Sequence, residues 1–175
     1  MFSKISTRLG FSDPGKEVEC VLKDTVPFVP DVRYGQVVKV YDGDTITIGA
    51  KMYPIHNSQP IYRFSVRLNG IDTPELKGSG EEEHRVAVLA RDWLANRIMG
   101  RMVALENVSF EKYGRLLATV YLMEKKKRCG ISKWERVGES LNSQLVKERL
   151  AVSYDGGTKE KVDWIAYHGG EFTSV

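Results

Sequence analysis

Residues 61–75 read Ile61-Tyr62-Arg63-Phe64-Ser65-Val66-Arg67-Leu68-Asn69-Gly70-Ile71-Asp72-Thr73-Pro74-Glu75. Tyr62, Phe64, Val66 and Leu68 fall on one face and Arg63, Ser65, Arg67 and Asn69 on the other, the period-2 pattern of a strand with one buried side. That period sets Arg67 on the face opposite Val66 and Leu68. Pro74 has no amide to donate and stops the strand. The run therefore ends in a cluster of polar residues at the rim of a sheet.

Upstream, Val37, Val38, Val40 and Tyr41 form a β-rich run that stops at Asp42-Gly43, and Thr45 to Ile48 alternate after it. Asp-Gly between two such runs is a hairpin signal. Downstream, Ser79-Gly80-Glu81-Glu82 has the form of a capping box, with Glu82 three residues after Ser79. Val86, Leu89, Ala90, Trp93, Leu94 and Ile98 then recur at helical spacing. The acidic run Glu81-Glu82-Glu83 is best accounted for by the helix dipole, which favours carboxylates in a first turn. Strands are expected near Met102–Phe110 and Leu116–Met123. Lys125-Lys126-Lys127-Arg128 then forms a basic hairpin tip before another short β-like run, either touching a nucleic acid backbone or lying solvated. A second helix fits Leu141–Leu150. A last short one, capped by Thr158, carries Val162, Ile165 and Ala166 with Trp164 beside them. The order predicts an α+β fold, with a five-stranded OB-type β-barrel and three α-helices.

The 175 residues suit one domain with a hydrophobic core. Residues 1–31 read as an N-terminal extension, with a short ordered piece around Glu19-Cys20-Val21-Leu22, and residues 32–175 as the domain. Apolar content of 42% and charged content of 28% are ordinary for a globular protein, and a net charge of +3 allows a polyanionic partner without requiring one. Cys20 and Cys129 have neither metal spacing nor a disulfide framework, which points to two unpaired thiols. No apolar stretch approaches the roughly 18 residues of a membrane span. Met1–Ser12 carries Lys4, Arg8 and hydroxyls but no acid, a weakly transit-like composition. With no secretory segment, an intracellular monomer is expected, with no membrane partner.

Three short motifs carry the chemistry: Asp42-Gly43-Asp44-Thr45, Arg67 with Asp72-Thr73-Pro74-Glu75, and Lys112-Tyr113-Gly114-Arg115. Asp42-Gly43 alone reads as a turn. Asp44 begins a strand, where aspartate is disfavoured. Asp44, Asp72 and the Thr73 carbonyl supply hard oxygens for an incomplete Ca²⁺ shell, completed by water and a substrate phosphate. Zn²⁺ does not fit, because neither histidine nor cysteine clusters here. Glu75 is either a surface glutamate after a turn or a base for an attacking water. Arg67 and Arg115 are either salt-bridged surface arginines or forks for phosphate oxygens. Lys112 and Tyr113 can hold a terminal phosphate by charge and hydroxyl. Taken together, the set is the inventory for metal-assisted cleavage of a phosphodiester.

On these residues the chain resembles the staphylococcal nuclease-like (thermonuclease) family. Arg67 to Glu75 looks like its central signature, Asp42 to Thr45 its first motif and Lys112 to Arg115 its third. Leu141-Asn142, Leu145-Val146 and Leu150-Ala151 are similar to its late helix. The resemblance covers roughly residues 35–154. It implies an OB-type barrel with three helices and a Ca²⁺-dependent endonuclease hydrolysing DNA and RNA at the 5′ P–O bond to leave 3′-phosphates. It implies Asp44, Asp72 and Thr73 as calcium ligands and Arg67, Arg115 and Glu75 as catalytic residues. Lys112, Tyr113 and Tyr154 would line the nucleotide site.

The chain departs from the family pattern in a short, lysine-poor loop at residues 76–80 and a longer hairpin at residues 124–138. The N-terminal extension has no family counterpart, and no export signal precedes the domain. Single strands are the expected substrate, because an active-site cleft that must reach backbone phosphorus suits flexible chains. The competing reading is a non-catalytic binding module on the same barrel, holding nucleic acid or protein. Family relatives in that role typically lack the acidic and arginine residues that this chain retains.

Overall fold

The computed structural model describes residues 22–77, 80–111, 113–159 and 161–169. Its strands are β1 (Tyr34–Val40), β2 (Thr45–Ala50), β3 (Tyr62–Leu68), β4 (Ile71–Asp72), β5 (Met102–Phe110), β6 (Leu116–Arg128), β7 (Ile131–Val137) and β8 (Val152–Ser153). The helices are α1 (Glu81–Ile98), α2 (Leu141–Lys147) and α3 (Trp164–His168). The main sheet runs β3-β2-β1-β5-β6-β7, and a further β3–β6 pairing closes its first five strands into a barrel. Every pairing is antiparallel except the closing one, which sets Val66 beside Leu116 and Arg67 beside Leu117. This is the α+β fold, an OB-type barrel with three α-helices, that the residue pattern predicts.

Alternation explains the barrel core. Ile46, Ile48, Val66, Leu68, Val103, Leu116, Ala118 and Val120 are fully or almost fully buried. α1 closes one side with Val86, Ala90, Leu94 and Ile98. Val32 joins the same core ahead of the first strand. Among the described residues no helix is long and apolar enough to cross a membrane.

Several local expectations are corrected. Asp42-Gly43 does not form a two-residue turn of left-handed backbone. Val40 pairs with Ile46, so the connection is longer, and Gly43 has no positive φ. The glycine is needed for closeness instead: a Cβ there would meet Ala90 Cβ at 2.8 Å and Thr73 Cγ2 at 3.0 Å. Helix α1 has Gly80 at its N-cap, with no side-chain cap bond; the expected Ser79 box lies outside the described residues. Leu89 is 41% exposed and leaves the core stripe to Ala87. The basic run is no turn: Lys125–Arg128 are strand residues of β6, and the chain reverses at Cys129-Gly130. Helix α2 stops at Lys147, short of Leu150, and Arg149 there has φ 55°. For α3 the cap is Asp163, which accepts from the Ala166 amide at 3.1 Å, not Thr158. Of the expected ordered piece near residue 20, only a 3₁₀ turn at Leu22–Asp24 is described; residues 19–21 lie outside the described set.

One buried amide ties the layers together. Asn142 Nδ2 donates to the Asn69 carbonyl at 2.7 Å and the Ala118 carbonyl at 3.3 Å, while its Oδ1 accepts from the Val120 amide at 2.9 Å. It joins α2 to β6 and to the turn after β3. Replacing it with an apolar side chain of similar size strands a buried N–H and a carbonyl. Asn142→Leu is expected to lower unfolding free energy by about 2–4 kcal/mol with an unchanged denaturant slope, read by urea unfolding.

Candidate active site

The register of the barrel gathers the polar motifs at one rim. Thr45 pairs with Arg67 across β2 and β3, so Asp44 lies beside the arginine. The Asp44 carbonyl also accepts from the Leu68 amide at 2.7 Å. The parallel closure places Arg115, just before β6, next to the end of β3. β4 pairs with β8, Asp72 opposite Val152, and the Tyr154 amide donates to the Gly70 carbonyl at 3.0 Å. These elements line a cleft of about 730 Å³ that includes Asp44, Arg67, Thr73, Glu75, Tyr113, Arg115 and Tyr154. Lys112 lies outside the described residues.

Arg67 sits at the centre. Its Nη1 is 2.7 Å from Asp44 Oδ2 and its Nη2 is 2.9 Å from Asp72 Oδ1. One guanidinium fork thus spans two carboxylates that are 3% and 13% exposed. Asp44 Oδ1 accepts from the Thr45 hydroxyl at 2.9 Å. Burial pushes the Asp44 carboxyl up to about 7; Arg67 pulls it down and Asp42 adds to the rise. Asp44 is nearly sealed from water, and the Arg67 charge beside it opposes the cost of ionising it there.

Arg115 comes from the opposite wall. Its Nε donates to Glu111 Oε1, and its Nη1 lies 3.4 Å from the Thr45 hydroxyl. The Glu111 hydrogen bond raises the guanidinium pKa above its ordinary value. Gly114, at φ 85°, makes the turn that brings Arg115 back beside Glu111, whose amide donates to the Arg115 carbonyl at 3.0 Å. Tyr113 stands on this turn, 74% exposed at the cleft mouth. Tyr154 folds the far lip by donating from its hydroxyl to the Gly157 carbonyl at 2.7 Å.

Glu75 follows buried Thr73 and Pro74 and lies on the open side of the cleft. Its amide donates to Glu83 Oε1 of α1 at 3.4 Å, so the first helical turn helps set the backbone that carries it. Its carboxylate meets Lys159 Nζ at 3.0 Å, and the same ammonium is 2.9 Å from Asp72. Partial burial opposes the lysine's charge, but its hydrogen bonds to Asp72 and Glu75 prevail and raise its pKa.

The cleft thus brings together Asp44, Arg67, Thr73, Glu75, Tyr113, Arg115 and Tyr154, and Asp72 adjoins it through its ion pairs with Arg67 and Lys159. It adds two the motifs did not show. Glu111, four residues before Arg115, could have been noticed as its partner at the neck of the turn. Lys159 had no signal, since it reaches Glu75 across 84 residues of sequence. Among the described residues no three His, Cys, Asp or Glu side chains group to hold a metal ion. The donors at hand are the Asp44 and Asp72 carboxylates with the neighbouring Thr73 backbone: oxygen only, suited to a hard cation that keeps water ligands.

The buried Asp44 sets a measurable pH dependence. Its folded pKa lies above the unfolded value near 3.8, so between those values the folded chain binds more protons than the unfolded one. Stability from this group therefore falls as pH rises through that window. In chelator, the unfolding free energy of the parent minus that of Asp44→Asn should drop on the order of 2–4 kcal/mol from about pH 4 to about pH 8. A flat difference would contradict the burial of an ionisable Asp44.

Comparison with known proteins agrees with this arrangement. A family model described as staphylococcal nuclease homologue matches residues 65–166. The chain is 31% identical over 137 residues to the probable endonuclease LCL3 of Coccidioides posadasii, covering 71% of this chain and 41% of that protein. It is 30% identical over 112 residues to the probable endonuclease LCL3 of Saccharomyces cerevisiae, covering 63% and 37%. The protein of the same name from Nakaseomyces delphensis is 29% identical over 113 residues, covering 61% and 40%. The chain spans about two-fifths of the length of these relatives. The matched region holds Arg67, Asp72, Thr73, Glu75, Arg115 and Tyr154, and the barrel around them is the family's; the chain belongs to the staphylococcal nuclease homologue family.

Proposed function

We propose that the chain is a Ca²⁺-dependent endonuclease that hydrolyses phosphodiester bonds of DNA and RNA, single strands preferred. The observation that carries this reading is the meeting of Arg67, Arg115 and Glu75 in one open cleft beside the buried Asp44 carboxylate, with the partly buried Asp72 on the same guanidinium. A binding surface has no need of an acid sequestered at the electrostatic cost of Asp44. The name probable endonuclease, borne by the relatives, supports the same class of reaction.

Asp44, Asp72 and the Thr73 carbonyl would hold the Ca²⁺, which when bound supplies positive charge to a phosphate oxygen. Arg67 and Arg115 approach from two strands and exchange carboxylate partners for the equatorial oxygens of the phosphate. Charge on those oxygens grows as phosphorus becomes five-coordinate, so forks already in place bind the transition state better than the ground state. Glu75 accepts a proton from the attacking water. The new bond forms between that water and phosphorus, the P–O5′ bond breaks, and the leaving 5′ oxygen takes up a proton. One product ends in a 3′-phosphate and the other in a 5′-hydroxyl. Tyr113 and Tyr154 line the position of the nucleotide, and Lys112, outside the described residues, is the charge the sequence offers for its phosphate. Lys159, on Glu75 and Asp72, must give way for both carboxylates to act.

Two substitutions test the roles. Glu75→Gln keeps size and removes the base; cleavage of labelled single-stranded DNA and RNA should slow roughly 10²–10⁴-fold. Arg67→Lys keeps the charge beside Asp44 but loses the fork, and should slow cleavage by about 10²-fold or more while the chain stays folded. Full activity in either variant would remove the role assigned to that residue.

A further inference from the structure

The β6–β7 hairpin carries a second feature, far from the cleft. Its register pairs Met123 with Arg136, Lys125 with Trp134 and Lys127 with Ser132. Residues directly opposite one another share a face, and so do positions two apart. Lys125, Lys127, Trp134 and Arg136 therefore lie on one face, together with Tyr121 of β6. Lys126, Arg128, Lys133 and Glu135 lie on the other.

The two faces differ in how their charge is met. On the second, Glu135 lies 3.7 Å from Lys126 and 3.5 Å from Arg128. On the first, no carboxylate among the described residues lies within ion-pairing distance of Lys125 or Lys127. Arg136 stacks over Tyr121 at 4.8 Å and is held by Glu106. Trp134 stands between these cations and is 49% exposed, although burial of that ring would remove a large apolar surface from water. At the barrel end of the face is a hollow of about 630 Å³, lined by Arg101, Met102, Met123, Glu124, Lys125 and Trp134 among others. Glu124 is neutralised there by Arg101 at 2.8 Å.

We propose that this face binds single-stranded nucleic acid, with a base stacked on Trp134 and flanking phosphates on Lys125 and Lys127. Aromatic rings interleaved with unpaired cations are the means by which proteins hold single strands without reading sequence. The proposal rests on the reading that the chain's substrate is a nucleic acid. It adds a second contact, since β6 climbs about 30 Å from Arg115 to Lys125 at roughly 3.3 Å per residue. A long strand anchored here is tethered near the cleft, which raises its effective concentration at the catalytic residues.

The test reads binding without cleavage. The full chain is titrated into a fluorescein-labelled oligothymidylate of about 30 nucleotides, longer than an OB-fold site, in chelator and at several salt concentrations. Anisotropy gives the affinity. Lys125→Ala/Lys127→Ala/Trp134→Ala should bind roughly tenfold or more weakly. Its logarithmic salt slope should be shallower by about 1.4, for two lost phosphate contacts. Lys126→Ala/Arg128→Ala, on the opposite face, should lose less than about threefold. Equal losses from the triple and the double variant, or none from the triple variant, would overturn the proposal. So would a parent chain that binds vesicles of equal parts phosphatidylserine and phosphatidylcholine but not the oligonucleotide, which would give the face to a membrane surface. Because the titration needs no turnover, inert Glu75 and Arg67 variants speak only to the cleft, and this result speaks only to the hairpin.

Discussion

Arg67 stands between Asp44 and Asp72, and most of what positions the cleft exists to keep it there. Its fork reaches one carboxylate on either side, and it is the cation the two acids share. The arginine cannot choose this place by itself. It is held by the register that sets it across from Thr45 and by the parallel pairing that sets it beside Leu117. A slip of one residue in β3 would turn Arg67 into the barrel and Val66 out of it. The buried alternation of Val66 and Leu68 is thus what aims the catalytic face. Gly43 completes the constraint: any side chain there would press on Thr73 and α1, the two neighbours that fix the loop after Asp72.

The barrel was largely legible in the sequence because β3 and the first half of β6 alternate buried and outward residues and the polar motifs mark strand ends. The same property exposed the site: Asp44, Arg67, Asp72 and Arg115 sit at strand ends, where alternation stops and chemistry begins. What was hidden shares one physical trait, dependence on long-range packing. Lys159 reaches the site from a loop with no pattern of its own. Gly43 looks like a hairpin glycine and is in fact a contact glycine. Leu89 keeps helical spacing yet is exposed, while Val86, Ala90, Leu94 and Ile98 meet the core. The length of β6 was hidden by its lysines, which read as a turn while the backbone hydrogen bonds of β7 carry the ladder through Arg128.

Charge is distributed unevenly over the molecule. In the cleft Arg67 lies against Asp44 and Asp72 and Arg115 against Glu111, and Lys159 bridges Asp72 to Glu75. Such pairs orient the donors while adding little net stability by themselves. On the hairpin the opposite holds, since Lys125 and Lys127 face outward beside an open tryptophan. A modest net charge of +3 therefore conceals one region of matched charge suited to chemistry and another of unmatched charge suited to holding a polyanion. The two lie at opposite reaches of one strand, β6, whose first residues help build the cleft and whose last carry the lysines.

The most direct measurement is the mass of the fragments released from a defined single-stranded oligonucleotide in the presence of Ca²⁺ and, separately, of a chelator. The account predicts internal cleavage with Ca²⁺ alone, and fragments whose masses correspond to 3′-phosphate and 5′-hydroxyl ends. Fragments with 5′-phosphate ends, or an intact oligonucleotide under both conditions, would contradict it.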